Sequence, residues 1–184
     1  MKPLYVVLAA VGAILLFSFL GYYNLYNKAV GYQEGLDEKF ANVQSAYQRR
    51  ADLIPNLLET VKGAAQNEKD ILTQVTQARA GIVGAKTPQD LELMGRKINT
   101  AIKLAHEAYP QIRSTENFSQ FQSQLEGTEN RIKTERDNYN KAVKEYNTHI
   151  RGFFARFFLN GEEFPRKEGF AAASGSENAP KVKF

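Results

Sequence analysis

The most unusual polar residues of the sequence lie around one proline. Arg49, Arg50, Asp52 and Asn56 fall within one short run that also contains Pro55. Because a guanidinium pairs with carboxylate or phosphate through several donors, this set is a candidate site for a protein partner or a lipid headgroup. The alternative is structural: a buried charge needs a partner, and three later residues could supply one across a helical bundle, namely Glu129, Glu135 and Arg136.

A second pattern pairs tyrosine with asparagine. Tyr139-Asn140 and Tyr146-Asn147 are separated by one heptad, which places both tyrosines on the same face of a helix. The repeat could form a ladder of ligand-binding groups. The alternative is a pair of core tyrosines whose hydroxyls hydrogen-bond a neighbouring helix.

A third pattern is a dense aromatic stripe flanked by arginines. Its members are Phe153, Phe154, Phe157 and Phe158, with Arg151 and Arg156 beside them. Such a segment suits a membrane surface or a groove in another subunit. The alternative is a helix end that packs on its own bundle.

Residues for catalysis or metal binding are sparse. The sequence has no cysteine and two histidines, and His149 has only Glu145 at a ligand-like spacing. No pairing of a nucleophile with a base and no phosphate-binding loop is readable. A net charge of +4 without a basic face also argues against nucleic acid. We predict no enzyme, no metal and no cofactor.

These side chains must be positioned by a chain that begins with an apolar run. Residues 4–23 carry no charge, and twenty helical residues span about the 30 Å of a bilayer core. Tyr22 and Tyr23 would lie among the lipid headgroups. A cleaved signal peptide fits poorly, because cleavage after a small residue would place Phe19 or Leu16 at position −3. The run predicts a single transmembrane helix in the bacterial cytoplasmic membrane, preceded by residues 1–3. Lys2 opposes Lys28 across the span, and counting the amino group favours a domain outside the cytoplasm.

The body of the chain reads as all-α, a long antiparallel coiled-coil-like helical bundle over residues 24–158. Apolar positions spaced by threes and fours predict helices at about 24–80, 87–109 and 114–158. Pro55 should kink the first helix, and Thr87 with Asp90 forms a capping box for the second. The third helix carries a heptad seam, which consists of Phe118, Leu125, Ile132, Tyr139, Tyr146 and Phe153, with Phe121, Val143, Ile150 and Phe157 as companions.

Helix lengths predict either a break in the first helix or self-association. A helix over residues 24–80 would extend roughly 85 Å and the second only about 35 Å. The first helix therefore breaks, near Gly63 or at an Asn67–Asp70 cap, or it leaves apolar stripes uncovered. Uncovered stripes predict a homo-oligomer.

The last part of the chain, residues 159–184, reads as a tail. Residues 171–180 are small and polar and contain glycine and serine, as in a flexible linker. The final Lys-Val-Lys-Phe could add as an edge strand or present its carboxylate to a partner, or it frays.

Several of these runs together resemble the LemA family of bacterial membrane proteins. They are Arg49–Leu57, Tyr109-Pro110, Glu126–Ile132, Tyr139-Asn140, Tyr146-Asn147 and Lys181–Phe184. The resemblance spans nearly the whole chain. It implies a single-pass protein with a helical-bundle domain, no established enzymatic activity, and a large domain on the cytoplasmic side, against the charge count.

The leading functional hypothesis is a membrane-anchored scaffold or adaptor that acts by self-assembly and by binding an unidentified protein. Lipid would contact it through residues 4–23. One rival is a membrane-remodelling or lipid-organising oligomer, which the aromatic stripe would favour. The other is a ligand-sensing bundle, which requires an internal cavity with convergent polar groups.

Overall fold

A computed structural model describes residues 2–60, 65–108 and 116–171 of the chain. These residues form helices joined by short connections, without a strand among them. The helices are α1 (Lys2–Thr60), α2 (Ala65–Gly84), α3 (Pro88–Ala108), α4 (Glu116–Ile150) and the single turn α5 (Ala155–Phe158). The predicted all-α class, with a long apolar helix ahead of a helical bundle, is confirmed.

The apolar run and the first rod are one helix. α1 begins at Lys2 and continues to Thr60, with Pro55 inside it. It is long and apolar enough near its start to cross a membrane. Large side chains of the run are exposed, from 41% for Tyr22 to 75% for Phe17.

The helix bounds differ from the predicted ones at the first rod. α1 ends at Thr60 and α2 runs over Ala65–Gly84, so the two helices flank residues 61–64. The predicted break near Gly63 lies outside the described residues, and so do the predicted helix start at Ser114 and the terminal Lys-Val-Lys-Phe. The apolar stripe on both helices is buried as its spacing predicts, at Leu36, Val43, Tyr47, Ile54, Leu57, Ile71 and Val75.

The chain divides into two compact units, which are described separately. The first contains Met1–Lys39 and Lys141–Lys167, and the second contains Phe40–Asn140 and Glu168–Phe184. In the second unit α2 and α3 form a closely packed hairpin. Close packing depends on glycine: a Cβ on Gly81 would meet Met94 Sδ at 2.2 Å, and one on Gly95 would meet Tyr47 Cε1 at 2.5 Å.

The predicted capping box at the start of α3 is confirmed. The Asp90 amide donates to Thr87 Oγ1 at 3.2 Å, and the Thr87 amide donates to Asp90 Oδ2 at 3.0 Å. The Lys86 amide adds a bond to the same carboxylate. Hydrogen bonding from the Thr87 side chain, followed by that from the Lys86 amide, lowers the pKa of Asp90. The cap is thus strongest when this carboxylate is ionised.

The third predicted helix ends earlier than the heptads imply. Its seam is buried at Phe118, Ile132, Tyr139 and Tyr146, but Phe153 and Phe157 are each 73% exposed, so placing them in the seam was wrong. α4 ends at Ile150, where the Gly152 amide bonds His149 O at 3.1 Å and tightens the last turn. The chain then turns before α5.

Candidate interaction sites

Arg50 forms an ion pair across the second unit. Its Nη1 bonds the carboxylate of Glu129 on α4 and donates to Leu125 O at 3.4 Å. The Arg50 side chain is 12% exposed and that of Glu129 is 60% exposed. Within residues 2–60, 65–108 and 116–171, no acceptor meets the buried Nε of Arg50. Glu129 is one of the partners that the structural alternative named.

Arg136 is engaged on three sides. Its Nη2 bonds Glu92 Oε1 at 2.7 Å and the carbonyl of Ala171 at 2.8 Å, and its guanidinium lies 4.9 Å from the centre of the Phe170 ring. The two arginine ion pairs border a cavity of about 340 Å³. Its charged lining is nearly balanced and consists of Arg50, Glu92, Arg96, Glu129 and Arg136.

The remaining members of the proline-centred set lie elsewhere. Asp52 pairs with Arg79 of α2 at 3.0 Å, and both side chains are about half exposed. Arg49 and Asn56 are exposed, and Pro55 is partly buried. The predicted set is therefore not one site, because helical geometry points Arg50 towards α4 and Asp52 towards α2.

In each unit the tyrosine–asparagine pair bonds main-chain groups of the irregular segment after α5, whereas the structural alternative expected hydroxyls bonded to a neighbouring helix. In the first unit Tyr146 Oη donates to Pro165 O at 3.0 Å. Asn147 Nδ2 donates to Lys167 O at 2.8 Å, and the Lys167 amide donates to Asn147 Oδ1 at 3.0 Å. We call Tyr146 with Asn147 the 146/147 clamp. Burial raises the pKa of Tyr146, with Asp37 adding to the effect, so the hydroxyl remains a donor.

The second unit repeats this arrangement. Tyr139 Oη donates to Glu168 O at 3.3 Å. Asn140 Nδ2 donates to Phe170 O at 3.1 Å, and the Phe170 amide donates to Asn140 Oδ1 at 2.8 Å. We call Tyr139 with Asn140 the 139/140 clamp. In both clamps the asparagine amide satisfies the N–H and the carbonyl of a single residue.

Residues 159–170 therefore do not belong to a free tail, which corrects the sequence-based interpretation. Phe164 is 4% exposed and Phe170 is 6% exposed. Phe164 packs against Tyr26 at 5.4 Å between ring centres. Two phenylalanines in a polar run, one followed by proline and one preceded by glycine, were the available signal for a packed segment, and sequence reasoning missed it.

The aromatic stripe lies beside the end of the apolar run. Phe153, Phe154, Phe157 and Phe158 are 53–73% exposed. The Phe158 ring lies 6.5 Å from that of Tyr22. A groove of about 420 Å³ separates the two elements, and its lining includes Phe17, Gly21, Tyr22, Phe154 and Phe158. The four rings thus extend the apolar surface of α1 near the predicted headgroup level.

The histidines serve packing. His149 Nε2 lies 3.0 Å from the carbonyl of Leu25, and its ring lies tilted against that of Tyr32, with 5.2 Å between ring centres. The His106 ring packs edge-on against Phe118 at 4.7 Å. Among the residues that the structure describes, no three acidic or histidine side chains converge as a metal site would require.

Comparison with known proteins identifies a family and a relative. The sequence matches the LemA family over residues 39–184. It is 23% identical over 132 residues to the protein named Protein LemA of Metamycoplasma hominis, an alignment that covers 70% of this chain and 60% of the relative. The chain therefore matches less than two thirds of that relative's length. Because the family match covers most of the sequence, the chain belongs to the LemA family.

Proposed function

We propose that this protein is a membrane-anchored helical scaffold that acts by self-assembly and protein binding, without catalysis of its own. The observation that carries the proposal is the continuity of α1. One helix runs from the exposed apolar residues near Lys2 into the buried stripe that ends before Thr60. Such continuity supports an anchored scaffold, because the same helix contributes both the apolar run and buried residues of the bundle.

The exposed apolar side chains of residues 4–23 support the proposal that the first turns of α1 lie in lipid. Burying one large apolar side chain contributes about 1.5–3 kcal/mol, and residues 4–23 expose more than ten of them. Exposure on this scale is unfavourable in water, whereas a bilayer core covers every side of a lone helix. We place this helix in the bacterial cytoplasmic membrane.

The charged side chains support binding rather than catalysis. Arg50 and Arg136 are held by carboxylates, and the hydroxyls of Tyr139 and Tyr146 bond main-chain carbonyls. Groups engaged in this way build a shape and are not poised to transfer protons. The structure thus offers surfaces for partners more readily than a reaction centre.

The direct test of self-assembly is the mass of the full chain in a mild detergent, measured by light scattering during size-exclusion chromatography. We expect a discrete oligomer whose mass does not change when the protein is diluted tenfold. Such a dilution lowers the chemical potential of the protein by about 1.4 kcal/mol. A monomer at every concentration would contradict the proposal. The same material then serves as bait for cellular partners.

A second candidate function is a lipid-organising oligomer, and the aromatic stripe favours it. Four exposed rings beside the end of the apolar run, with Arg151 and Arg156 near them, resemble an element seated in the headgroup region.

The sequence contains no tryptophan, so one introduced tryptophan reports its own surroundings. In liposomes of the full chain we expect brominated lipids to quench Phe157→Trp strongly. Val83→Trp is the matched control, because Val83 is 69% exposed and lies on α2, far along the chain from the apolar run. Equal quenching of the two would remove this candidate.

A further inference from the structure

We propose that the cavity bordered by the two arginine ion pairs binds a small organic anion, whose carboxylate or phosphate oxygens accept hydrogen bonds from Arg50. All of the residues that line this cavity belong to the second unit, and they come from α1, α3, α4 and Ala171. A ligand site of this kind goes beyond the proposed scaffold and does not depend on self-assembly.

One edge of the Arg50 guanidinium is left over by the ion pair. Nη1 bonds the carboxylate of Glu129 and the carbonyl of Leu125. Nε is buried, and no acceptor meets it within residues 2–60, 65–108 and 116–171. In a guanidinium, Nε shares an edge with Nη2 and not with Nη1, so this edge lies apart from Glu129. Two parallel N–H groups on one edge are the arrangement that binds both oxygens of a carboxylate or phosphate.

A buried donor without an acceptor points to a missing partner. Nearly all buried polar groups of native proteins are hydrogen-bonded, and an unsatisfied charged group is especially unfavourable. The Arg50 side chain is 12% exposed, so water can satisfy little of it. Because Arg50 lines the cavity, a ligand held there lies beside this guanidinium. A bound oxyanion would thus supply an acceptor that the described chain does not.

The charges around the cavity favour an anion. Its lining contains three arginines and two glutamates, which is a surplus of one positive charge. Glu129 pairs with Arg50, and Glu92 pairs with Arg136 at 2.7 Å. Both carboxylates are therefore already paired, and the charge of Arg96 is uncompensated within the described lining. A ligand with one negative charge would balance the site, whereas a cation would be repelled.

The size and the uncharged lining of the cavity favour a small organic molecule. A volume of about 340 Å³ is near the lower end for ligand sites, so the cavity suits a small acid better than a large cofactor. Ile132 and Tyr47 add apolar surface, and Asn99 adds an amide. Burial raises the pKa of Tyr47, so its hydroxyl keeps its proton at neutral pH and can donate.

The test observes the Nε–H group of Arg50 by nuclear magnetic resonance, in the isotope-labelled full chain in mild detergent. Its signal is identified by its absence from Arg50→Lys, because lysine keeps the positive charge opposite Glu129 but has no such group. Acetate and inorganic phosphate are the two probes. Sodium chloride at the same ionic strength is the control for general salt effects.

We expect at least one probe to shift the Arg50 signal until it saturates, whereas chloride shifts it little. Saturation by phosphate alone, by acetate alone or by both supports the proposal and identifies the oxyanion that the site binds. If neither probe shifts the signal further than chloride does, the proposal is overturned.

Two further variants locate the ligand. Arg96→Gln removes the surplus charge at an exposed position, and we expect the dissociation constant to rise about threefold, since solvent screens an exposed charge. Arg79→Lys is the matched control and should not change this constant, because Arg79 also pairs with a carboxylate, that of Asp52, but does not line the cavity. Equal constants for Arg96→Gln and the unaltered chain would overturn the placement of the ligand in this cavity.

Thermal unfolding provides a second readout if Arg50→Lys does not fold. A ligand that binds only the folded chain raises the melting temperature, and the increase grows with its concentration. We expect acetate or phosphate to raise the melting temperature of the unaltered chain beyond the effect of chloride, and to raise that of Arg96→Gln less. Equal increases for the two proteins would again overturn the proposal.

Discussion

Replacing Asn147 tests how much the packed C-terminal segment contributes to stability. Asn147→Ala removes two main-chain hydrogen bonds, of 2.8 and 3.0 Å, that hold Lys167 to α4. At about 0.5–1.5 kcal/mol each, their loss costs about 1–3 kcal/mol. Because alanine has a higher helix propensity than asparagine, the substitution also stabilises the folded state by about 0.5 kcal/mol. The net expectation is a loss of about 0.5–2.5 kcal/mol in the free energy of unfolding.

Aspartate at position 147 distinguishes the loss of a hydrogen bond from the loss of side-chain volume. Asn147→Asp keeps the shape and can still accept the Lys167 amide, but it turns an oxygen towards the Lys167 carbonyl, where the amide donated at 2.8 Å. We therefore expect Asn147→Asp to be at least as destabilising as Asn147→Ala at neutral pH, although it deletes no atom from the contact.

The assay is urea unfolding of the full chain in mild detergent, followed by circular dichroism. Asn130→Ala is the matched control, because Asn130 lies on the same helix and its side chain is exposed. It should gain about 0.5 kcal/mol from helix propensity alone. If Asn147→Ala proves no less stable than Asn130→Ala, the clamp bonds contribute nothing and the reasoning on them is wrong.

Three further changes test packing, charge and capping. Glu129→Gln should lower the free energy of unfolding by about 1–2 kcal/mol, because it leaves the 12% exposed Arg50 side chain without its counter-charge; no change in the urea midpoint would contradict this. Gly95→Ala should cost up to about 2 kcal/mol, because overpacking of the tyrosine ring that a Cβ would meet at 2.5 Å costs about 1–3 kcal/mol and helix propensity offsets about 1 kcal/mol of it, whereas Gly127→Ala, with nothing within 4 Å, should gain about 1 kcal/mol; equal effects would refute the packing argument. Because the pKa of Asp90 is lowered on folding, its contribution is present above the unfolded pKa of about 4 and is lost as pH falls through the folded value. Asp90→Asn should flatten that part of the stability profile measured by acid titration, and an unaltered profile would exclude the cap as its source.

Local patterns in the sequence predicted the parts of the fold that depend on neighbours along the chain. The Thr87–Asp90 box needs only four residues, and its bonds form as predicted. The heptads of α4 predicted burial from Phe118 to Tyr146, because side-chain periodicity on a helix determines which face packs.

Features that depend on distant partners were not readable. The Asp52–Arg79 pair joins two helices, and no local sequence pattern predicts how one helix is rotated relative to the other. The segment around Phe164 and Phe170 shows no helical or strand periodicity in its sequence. Its polar contacts are made by main-chain groups, so they do not require particular side chains at most positions. For the same reason the Asn140 and Asn147 repeat was visible, but its partner was not.

Membrane anchoring through the start of α1 can be measured directly, because the chain has no cysteine of its own. Single cysteines at Val11, Phe17, Lys28 and Glu34 all occupy exposed positions of one helix, so the protein itself would leave them equally reactive. In membranes from cells that make the full chain, we expect a membrane-impermeant maleimide to label Lys28→Cys and Glu34→Cys, and to leave Val11→Cys and Phe17→Cys unlabelled even after the vesicles are opened. If Lys28→Cys and Glu34→Cys are labelled only after the vesicles are opened, the bundle lies inside the vesicles. If they are labelled in intact vesicles, the bundle lies outside. Labelling of all four positions at the same rate would contradict the account.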